Sequence, residues 1–325
     1  MVFDVPAEGG GALTVLHDFY DEYKNDQKNE YIFVVSLPEL QETNNIKVLR
    51  YPWIKKSWVH RIFFDNFIAP SLIKKYEIDK VLSLQNIIIP HAKVSQNVFV
   101  HNALPFSEYR FAFNENALLW VYQNIIGGKI KKSIKKADSV IVQTNWMKKI
   151  IVDQLDVEEQ KIKVKRPNLN IEVKKKYEEP IEGIPTFFYP ASGIVFKNHN
   201  VIIDACLKLK EEGISNYKVV FTLRQNENEY IKELYTKIMN NNLPIEFVGT
   251  LKCEEVFEMY SKSVLIFPSY IETVGLPLLE AKLHNCPIIA SDSVFAHEIL
   301  ENYGNVTYFD SFDSVALSLL IKSAL

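Results

Sequence analysis

The sequence predicts an α/β fold of two Rossmann-like domains, each built on a parallel sheet, with the two sheets facing a central cleft. The chain has 325 residues, which is too long for one typical open α/β domain and about right for two. Hydrophobic residues make up 47% and charged residues 24% of it, a composition able to fill two cores. Continuous apolar runs alternate with segments of helical period, as in doubly wound parallel sheets.

In the first half of the chain, apolar runs of strand length are separated by segments of helical period. The predicted strands are Val2–Val5, Tyr31–Val35, Lys80–Leu84, Asn97–His101 and Ser139–Gln143. The predicted helices are Ala12–Lys24, Lys55–Lys75, Asn114–Lys136 and Asn145–Leu155. This alternation predicts a first domain over residues 1–170.

The second half repeats the alternation and predicts a second domain over residues 171–325. The predicted strands are Thr186–Tyr189, Lys218–Thr222, Ile245–Val248, Val264–Phe267 and Pro287–Ala290. The predicted helices are His199–Glu212, Asn228–Asn240, Glu254–Ser261 and Pro277–His284, with a last one from about Phe312. The charged, apolar-poor stretch Pro167–Pro185 predicts the linker between the domains. Ligands of such sheets bind outside the carboxyl ends of the strands, so the loops there are the place to look for chemistry.

Composition excludes several function classes. The net charge of -3 gives no overall basic field, so we expect no nucleic-acid partner. The three cysteines form no Cys-x-x-Cys pair, which argues against a disulfide framework and a zinc site. The N-terminus lacks the apolar run of a secretory signal, and no stretch is long and apolar enough to span a bilayer. We therefore expect a cytoplasmic protein.

The most informative segment runs from Phe267 to Ala281, where a buried strand ends, a loop follows and a helix begins near Pro277. Proline suits the first turn of a helix, and Gly275 before it lets the backbone approach a ligand closely. The unpaired N–H groups of a helix N-terminus suit a phosphate. Two carboxylates, Glu272 and Glu280, flank this end, and a carboxylate accepts two hydroxyl hydrogen bonds at once, as a sugar diol requires.

The pattern Glu272-x7-Glu280, with Gly275-Leu276-Pro277 between the carboxylates, resembles the donor-site motif of retaining glycosyltransferase family 4. These enzymes have the GT-B fold. The resemblance extends over most of the chain through Tyr189-Pro190-Ala191-Ser192, Lys197-Asn198-His199, Phe247-Val248-Gly249-Thr250-Leu251, Pro287-Ile288-Ile289-Ala290-Ser291 and Gly9-Gly10-Gly11. It implies a retaining transfer of a hexose from a UDP- or GDP-sugar to a glycan or lipid-linked acceptor, in the synthesis of a cell-surface polysaccharide.

The resemblance also implies roles for individual residues. Glu280 would hold the ribose hydroxyls of the nucleotide, and Glu272 would face the transferred sugar. Backbone N–H groups of Gly275 and Leu276 would reach the sugar or the diphosphate. The same donor loop contains Thr273 and Val274, and the loop with Val248 and Gly249 would flank the base.

Lys197 would neutralise the diphosphate as it leaves, since a cation near developing negative charge stabilises that transition state. Many members of the family carry an arginine a few residues before this lysine, but the segment 191–196 has none. Either Lys197 acts with backbone N–H groups alone, or Arg224 after the next strand contributes. We expect neither a metal nor a cofactor, because the lysine and the helix ends can take the part of a metal.

The N-terminal half contributes two further candidates. Gly10 and Gly11, after the first predicted strand, permit a tight turn whose N–H groups face the cleft, and the resemblance places this loop near the diphosphate. His101 ends a predicted strand, and family members have a histidine here that hydrogen-bonds the sugar. In this family the leaving phosphate is thought to take the acceptor proton, so His101 is not the expected base.

Residues 104–136 are rich in aromatic residues and lysines. At 100° per residue, Leu119, Ile126, Ile130 and Ile134 share one stripe with the lysines off it, in a helix interrupted by Gly127-Gly128. Such a helix fits an anionic membrane, at the inner face of which the protein would then lie, or a lipid-linked acceptor. It also fits a core-packing helix with a solvated face.

Two other functions remain open from the sequence. A non-catalytic protein that binds nucleotide-sugars or glycans would share the scaffold, and the missing arginine is its support. A sugar-nucleotide epimerase has a similar fold, but no set of additional histidines and carboxylates marks one in the first half. Fold alone does not decide between these classes.

Overall fold

The structure is a computed structural model and describes residues 1–168, 171–179 and 183–325. The chain divides into two compact units, Met1–Leu169 and Asn170–Leu325. Residues 169–170 and 180–182 of the predicted linker lie outside the described residues. Within the linker, the N–H groups of Tyr177 and Glu178 donate to the carbonyls of His284 and Ser261, at 2.7 and 3.1 Å. This part of it therefore lies along the second unit.

The first unit is built on parallel strands. They are β1 Val2–Asp4, β2 Tyr31–Val35, β3 Ile46–Arg50, β4 Lys80–Ser83, β5 Ser95–Phe99, β6 Ser139–Val142 and β7 Ile162–Val164. The α-helices are α1 Gly10–Lys24, α2 Trp58–Phe63, α3 Ala69–Lys75, α4 Ala117–Val121, α5 Gly127–Lys136 and α6 Asn145–Leu155. One turn of π-helix, Phe64–Ile68, joins α2 to α3, and another, Tyr122–Ile126, joins α4 to α5. Short 3₁₀ turns lie at Pro52–Lys56, Leu104–Phe106 and Glu159–Lys161. The sheet order is β3-β2-β1-β4-β5-β6-β7.

The second unit has the same plan. Its strands are β8 Thr186–Tyr189, β9 Lys218–Phe221, β10 Ile245–Phe247, β11 Val264–Phe267, β12 Ile288–Ser291 and β13 Val306–Phe309. Its helices are α7 His199–Glu211, α8 Glu229–Asn240, α9 Cys253–Tyr260, α10 Leu276–Leu283, α11 Val294–Ile299 and α12 Ser314–Ser323, with a 3₁₀ turn at Val195–Lys197. The sheet order is β10-β9-β8-β11-β12-β13, and the pairings are parallel.

Both faces of the first sheet are covered by apolar side chains. Successive strand residues point to opposite faces, so Val2 packs with the buried face of α1, whereas Phe3 packs with Phe64 and the buried residues of α3. Burial on both faces explains why these strands are continuous apolar runs in the sequence. The predicted fold of two parallel α/β sheets is thus confirmed.

Three strands were missed by the sequence reasoning, β3, β7 and β13. Each lies at an edge of its sheet, where one side of the strand is left uncovered and the sequence includes charged or polar residues. Helix α11 was also missed, since its six residues are too few for a clear helical period.

Several predicted boundaries were wrong. Gly10 and Gly11 do not form a loop ahead of the helix, because α1 already begins at Gly10. The strand predicted to end at His101 ends at Phe99, so His101 lies in the loop beyond it. Gly127 and Gly128 do not interrupt the basic helix, which continues through the π turn from α4 into α5.

Candidate functional site

The loop from Phe267 to Leu276 in the second unit has the geometry that the sequence predicted. β11 ends at Phe267, and Gly275 caps α10 with φ 74° and ψ 62°, in the left-handed region. A Cβ atom on Gly275 would lie 3.3 Å from side-chain atoms of both Phe267 and Leu278. Conformation and packing therefore both require glycine here, and Pro277 follows in the first helical turn, as predicted.

The side chains of Lys197 and Glu272 are in contact at this loop. The ammonium group of Lys197 forms an ion pair with Oε1 of Glu272, although 75 residues separate them in the chain. Their side chains are 18% and 13% exposed, so the pair is largely shielded from bulk water yet open on one side. The ion pair fixes the positions of the ammonium group and the carboxylate relative to each other.

The backbone around Lys197 is fixed by hydrogen bonds from two strand ends. The hydroxyl of Tyr189, the last residue of β8, donates to the Lys197 carbonyl at 2.7 Å. The hydroxyl of Ser269 and the N–H of Tyr270 both donate to the Phe196 carbonyl at 3.2 Å. These bonds join the loops after β8 and β11, and the pairing of Lys197 with Glu272 follows from them.

Glu280 lies inside α10, about one turn beyond its start. Its Oε2 accepts a 3.0 Å hydrogen bond from the hydroxyl of Tyr260, which is fully buried. Burial raises the pKa of Glu280, and the bond from Tyr260 opposes this in part. The carboxylate is thus oriented by a buried donor while its residue remains partly exposed.

A second cluster lies at the neighbouring strand ends. Arg224 follows β9, Val248 and Gly249 follow β10, and the three residues line one pocket of about 480 Å³. A Cβ on Gly249, whose φ is 75°, would be 3.5 Å from the Arg224 side chain, so the two loops touch. Arg224 itself is exposed. The pocket thus joins a cation to two backbone segments at the sheet edge.

The predicted donor residues therefore follow the carboxyl ends of strands that are consecutive in the sheet, β10, β9, β8 and β11. This is the edge at which open α/β sheets bind ligands. Lys197 and Glu272 are in contact, and Arg224 lies with Val248 and Gly249. The side chain of Val274 is 3% exposed and packs in the core, so this residue offers a ligand only its backbone. Thr273 and Leu276 are partly exposed in the same loop.

In the first unit, His101 is held by Asn86. The Asn86 oxygen accepts the His101 backbone N–H at 2.8 Å, and its Nδ2 lies 3.0 Å from His101 Nε2. Because Nδ2 must donate, Nε2 accepts and the ring proton is assigned to Nδ1. Burial lowers the pKa of His101 to about 4, so the ring is neutral near pH 7. Its Nδ1 is buried and has no hydrogen-bond partner within the described ranges. With the ring proton on Nδ1, this atom can donate a hydrogen bond but cannot act as a base.

The remaining first-unit candidates lie at the end of β1. Gly10 has φ 57°, which favours glycine, and Gly10 and Gly11 have no neighbouring atom where a Cβ would stand. Asp4, the last residue of β1, is fully buried, and burial raises its pKa to about 8, while the charges of Arg61 and Lys55 lower it in part. A carboxyl group that holds its proton near neutral pH is unusual at a strand end.

The sequence did not point to three residues described above, Asn86, Tyr260 and Asp4. Asn86 has φ 65°, and an asparagine in a loop after a predicted strand was the available signal for it. Tyr260 ends a different helix from Glu280, and no pattern in the sequence relates the two. Asp4 was visible as the one acidic residue within the first apolar strand.

Two other kinds of site are not found in the described residues. In the described part of the chain, no group of three or more His, Cys, Asp or Glu side chains is placed to hold a metal ion. No helix in the same ranges is both long and apolar enough to cross a bilayer.

Comparison with known proteins gives a family match for the second half of the chain and a fold match for nearly all of it. Residues 171–325 match the sequence model of glycosyl transferases group 1. The O-antigen chain mannosyltransferase RfbU of Salmonella typhimurium is 24% identical over 244 residues, which are 74% of this chain and 64% of that protein. This chain thus aligns with just under two thirds of that relative.

Solved structures with this fold cover nearly the whole chain. HepE of Anabaena, in complex with UDP and glucose, has a TM-score of 0.69 and 15% identity, over 99% of this chain and 88% of that one. Sucrose-phosphate synthase of Thermosynechococcus elongatus has a TM-score of 0.71 and 14% identity, with the same coverage. At such identity these likenesses concern the fold, which is the GT-B fold. Residues 171–325 thus match the sequence model of glycosyl transferases group 1, and the chain has the GT-B fold.

Proposed function

We propose that this protein is a retaining glycosyltransferase that moves a hexose from a nucleotide-sugar to a glycan or lipid-linked acceptor. The observation that carries the proposal is the ion pair of Lys197 with Glu272 beside the glycine-capped start of α10. A cation, a carboxylate and unpaired helix N–H groups together match the diphosphate and hydroxyl groups of a nucleotide-sugar. The match of residues 171–325 to the model of glycosyl transferases group 1 supports it.

In the proposed reaction, the bond between the anomeric carbon and the diphosphate oxygen breaks as the bond to the acceptor oxygen forms on the same face. The acceptor proton passes to the leaving phosphate, so no side-chain base is required. Lys197 stabilises the negative charge that develops on the diphosphate, and Glu272 holds hydroxyls of the transferred sugar. His101 is proposed to donate to a sugar oxygen from Nδ1, which its tautomer makes the donor; since Nδ1 is buried in this structure, that contact requires it to become exposed.

Donor recognition is proposed to rest on Glu280 and on the pocket with Arg224. The carboxylate of Glu280, oriented by Tyr260, would accept two ribose hydroxyls. Arg224 would supply the second cation that the segment 191–196 lacks, and Val248 and Gly249 would flank the base. The reaction as proposed uses no metal or cofactor.

Two similar proteins support particular classes of donor and acceptor for this proposal. The Salmonella relative is named as a mannosyltransferase of the O-antigen chain, and a structural neighbour was solved with UDP and glucose. We propose a GDP- or UDP-hexose donor and an acceptor in cell-surface polysaccharide synthesis. We also propose that the protein works in the cytoplasm at the inner membrane face, touching it through residues 104–136.

A thermal-shift panel with UDP, GDP, ADP and CMP tests the donor site, because a ligand that binds only the folded state raises the melting temperature. We expect UDP or GDP to stabilise the parent protein, and we expect this shift to be lost in Glu280→Ala. Absence of any shift at millimolar nucleotide would contradict the donor site and favour a non-catalytic glycan-binding protein on the same scaffold. Release of free nucleotide from UDP-glucose or GDP-mannose with acceptor present then separates an enzyme from a binding protein.

A further inference from the structure

Two helical segments of the first unit carry large apolar side chains on their outer surface. In the segment 58–67 these are Trp58, Val59, Ile62, Phe63 and Phe67, and in the segment 118–125 they are Leu118 and Ile125. Val59 is 74% exposed, and Phe67 and Leu118 are each 62% exposed. Isolated apolar residues on a surface need no explanation, but a contiguous group of this size marks an interaction site.

The two segments form one continuous surface. The rings of Trp58 and Tyr122 lie 5.9 Å apart at 67°, which joins α2 to the π turn after α4. Along the first segment, the rings of Phe63 and Phe67 are 5.3 Å apart. Spacings of three and four residues place Leu118, Tyr122 and Ile125 on one helical side. We call the exposed apolar residues of 58–67 and 118–125, with Tyr122, the apolar face.

The helical segments around the apolar face are rich in basic residues, although exposed carboxylates border them at Glu77, Glu115 and Asp138. Residues 52–76 and 116–137 contain ten lysines and arginines and a single carboxylate, Asp65, in a chain whose net charge is -3. That carboxylate is buried and forms an ion pair with Arg61 at 2.7 Å, so it does not offset the positive surface. Lys129, Lys132, Lys135 and Lys136 are exposed along α5.

The predicted stripe of the basic helix is only partly correct. Ile130 and Ile134 are buried against the unit, as expected, but Leu119 and Ile126 are only half-buried. The π turn at Tyr122–Ile126 adds a residue to the helical repeat, which rotates α4 relative to α5. As a result, α5 packs into the core with its lysines outward, while α4 exposes Leu118 and the π turn exposes Ile125.

We propose that the apolar face and the lysines of α5 together dock on the surface of an anionic lipid bilayer. Apolar and aromatic side chains enter the boundary between head groups and acyl chains, and lysines contact the acidic head groups. The absence of exposed carboxylates from both segments favours this occupant over a protein surface of mixed charge. The proposal deepens the membrane contact proposed above for residues 104–136, and it assigns the segment 58–67 its first role.

Vesicle sedimentation with the full chain tests the proposal. We expect the protein to bind vesicles that contain about one third phosphatidylglycerol, and to bind pure phosphatidylcholine at least ~10-fold more weakly. The double variant Val59→Glu/Phe67→Glu should lower the partition coefficient by at least ~10-fold. Its control is Val294→Glu/Leu319→Glu, which adds the same charge at residues 68% and 55% exposed in the second unit and should bind as the parent does.

The charge requirement is tested separately. Lys132→Ala/Lys136→Ala should reduce binding to the anionic vesicles by ~10-fold, and Lys174→Ala/Lys176→Ala, which removes two exposed lysines from the second unit, should not. Equal binding of the parent and Val59→Glu/Phe67→Glu overturns the proposal. The proposal is also overturned if the parent protein does not bind lipid but forms a dimer in light scattering, and if Val59→Glu/Phe67→Glu abolishes that dimer.

Failure of the proposed enzyme function is distinguishable from failure of the docking proposal. The melting-temperature shift by UDP or GDP depends on the second unit and should be the same in the parent and in Val59→Glu/Phe67→Glu. Lipid binding without a nucleotide shift would leave the docking proposal intact and remove the donor site. A nucleotide shift without lipid binding would leave the donor site intact and remove the docking proposal.

Discussion

Replacing Lys197 with alanine separates the proposed catalytic role of the lysine from its contribution to stability. The substitution removes the partner of Glu272, whose side chain is 13% exposed. Removing one member of a fully buried pair costs about 3–5 kcal/mol, and the partial exposure of this pair brings the expected loss to about 2 kcal/mol. For a domain of this size, we expect the melting temperature to fall by about 4–8 °C.

The expected loss of rate is larger than the loss of stability would explain. A charge that stabilises a leaving diphosphate contributes about 3 kcal/mol to the transition state, so kcat should fall about 100-fold. The assay is release of UDP or GDP from the nucleotide-sugar at about 25 °C, where nearly all of the variant remains folded. Nucleotide binding, measured by thermal shift, should weaken much less than the rate.

Lys237→Ala is the matched control, because Lys237 forms an ion pair with Asp204 in the same unit with side chains 32% and 35% exposed. It should lower the melting temperature slightly and leave kcat unchanged. Equal kcat values for Lys197→Ala and the parent would refute the proposed role of Lys197. A loss of rate in Lys237→Ala as large as in Lys197→Ala would show that the effect comes from general destabilisation.

Four further outcomes follow from single residues. Glu280→Ala should weaken UDP or GDP binding by about 10–100-fold, measured by titration calorimetry, since two hydrogen bonds to a carboxylate are lost. Gly275→Ala should lower both the melting temperature and the nucleotide shift, whereas Gly213→Ala, with a similar φ of 76° but no atom near its Cβ position, should affect only stability. Asp4 binds its proton more tightly in the folded state, since its pKa is raised from 3.8 to about 8, so its contribution to stability is lost as the pH rises from 4 to 8. Asp4→Asn should therefore flatten the fall in melting temperature over that range, and an unchanged slope would contradict the raised pKa. His101→Gln should slow transfer without changing the pH–rate profile above about pH 5.5, because the ring is already neutral there; loss of an ionisation near pH 6–7 would contradict this.

The sequence by itself determined the fold and the conformation of the loop at the proposed donor site. The period of the apolar residues shows which side of each segment faces the core and which faces solvent. A strand that is buried on both faces appears in the sequence as a continuous apolar run. The roles of Gly275 and Pro277 could also be predicted from the sequence. A left-handed conformation favours glycine and the first turn of a helix favours proline, and both are local requirements of the backbone. Three of the four edge strands, β3, β7 and β13, were missed, because a strand at the edge of a sheet need not be apolar on both faces.

Only the tertiary structure decided which distant side chains meet. Lys197 contacts Glu272 because β8 and β11 are neighbours in the sheet, an order that no local pattern reveals. His101 is neutral because the fold buries it beside Asn86. The apolar face likewise exists only where Trp58 reaches Tyr122. Local sequence specifies the conformation and burial of a segment, whereas ion pairs, tautomers and surface patches depend on which segments the topology brings together.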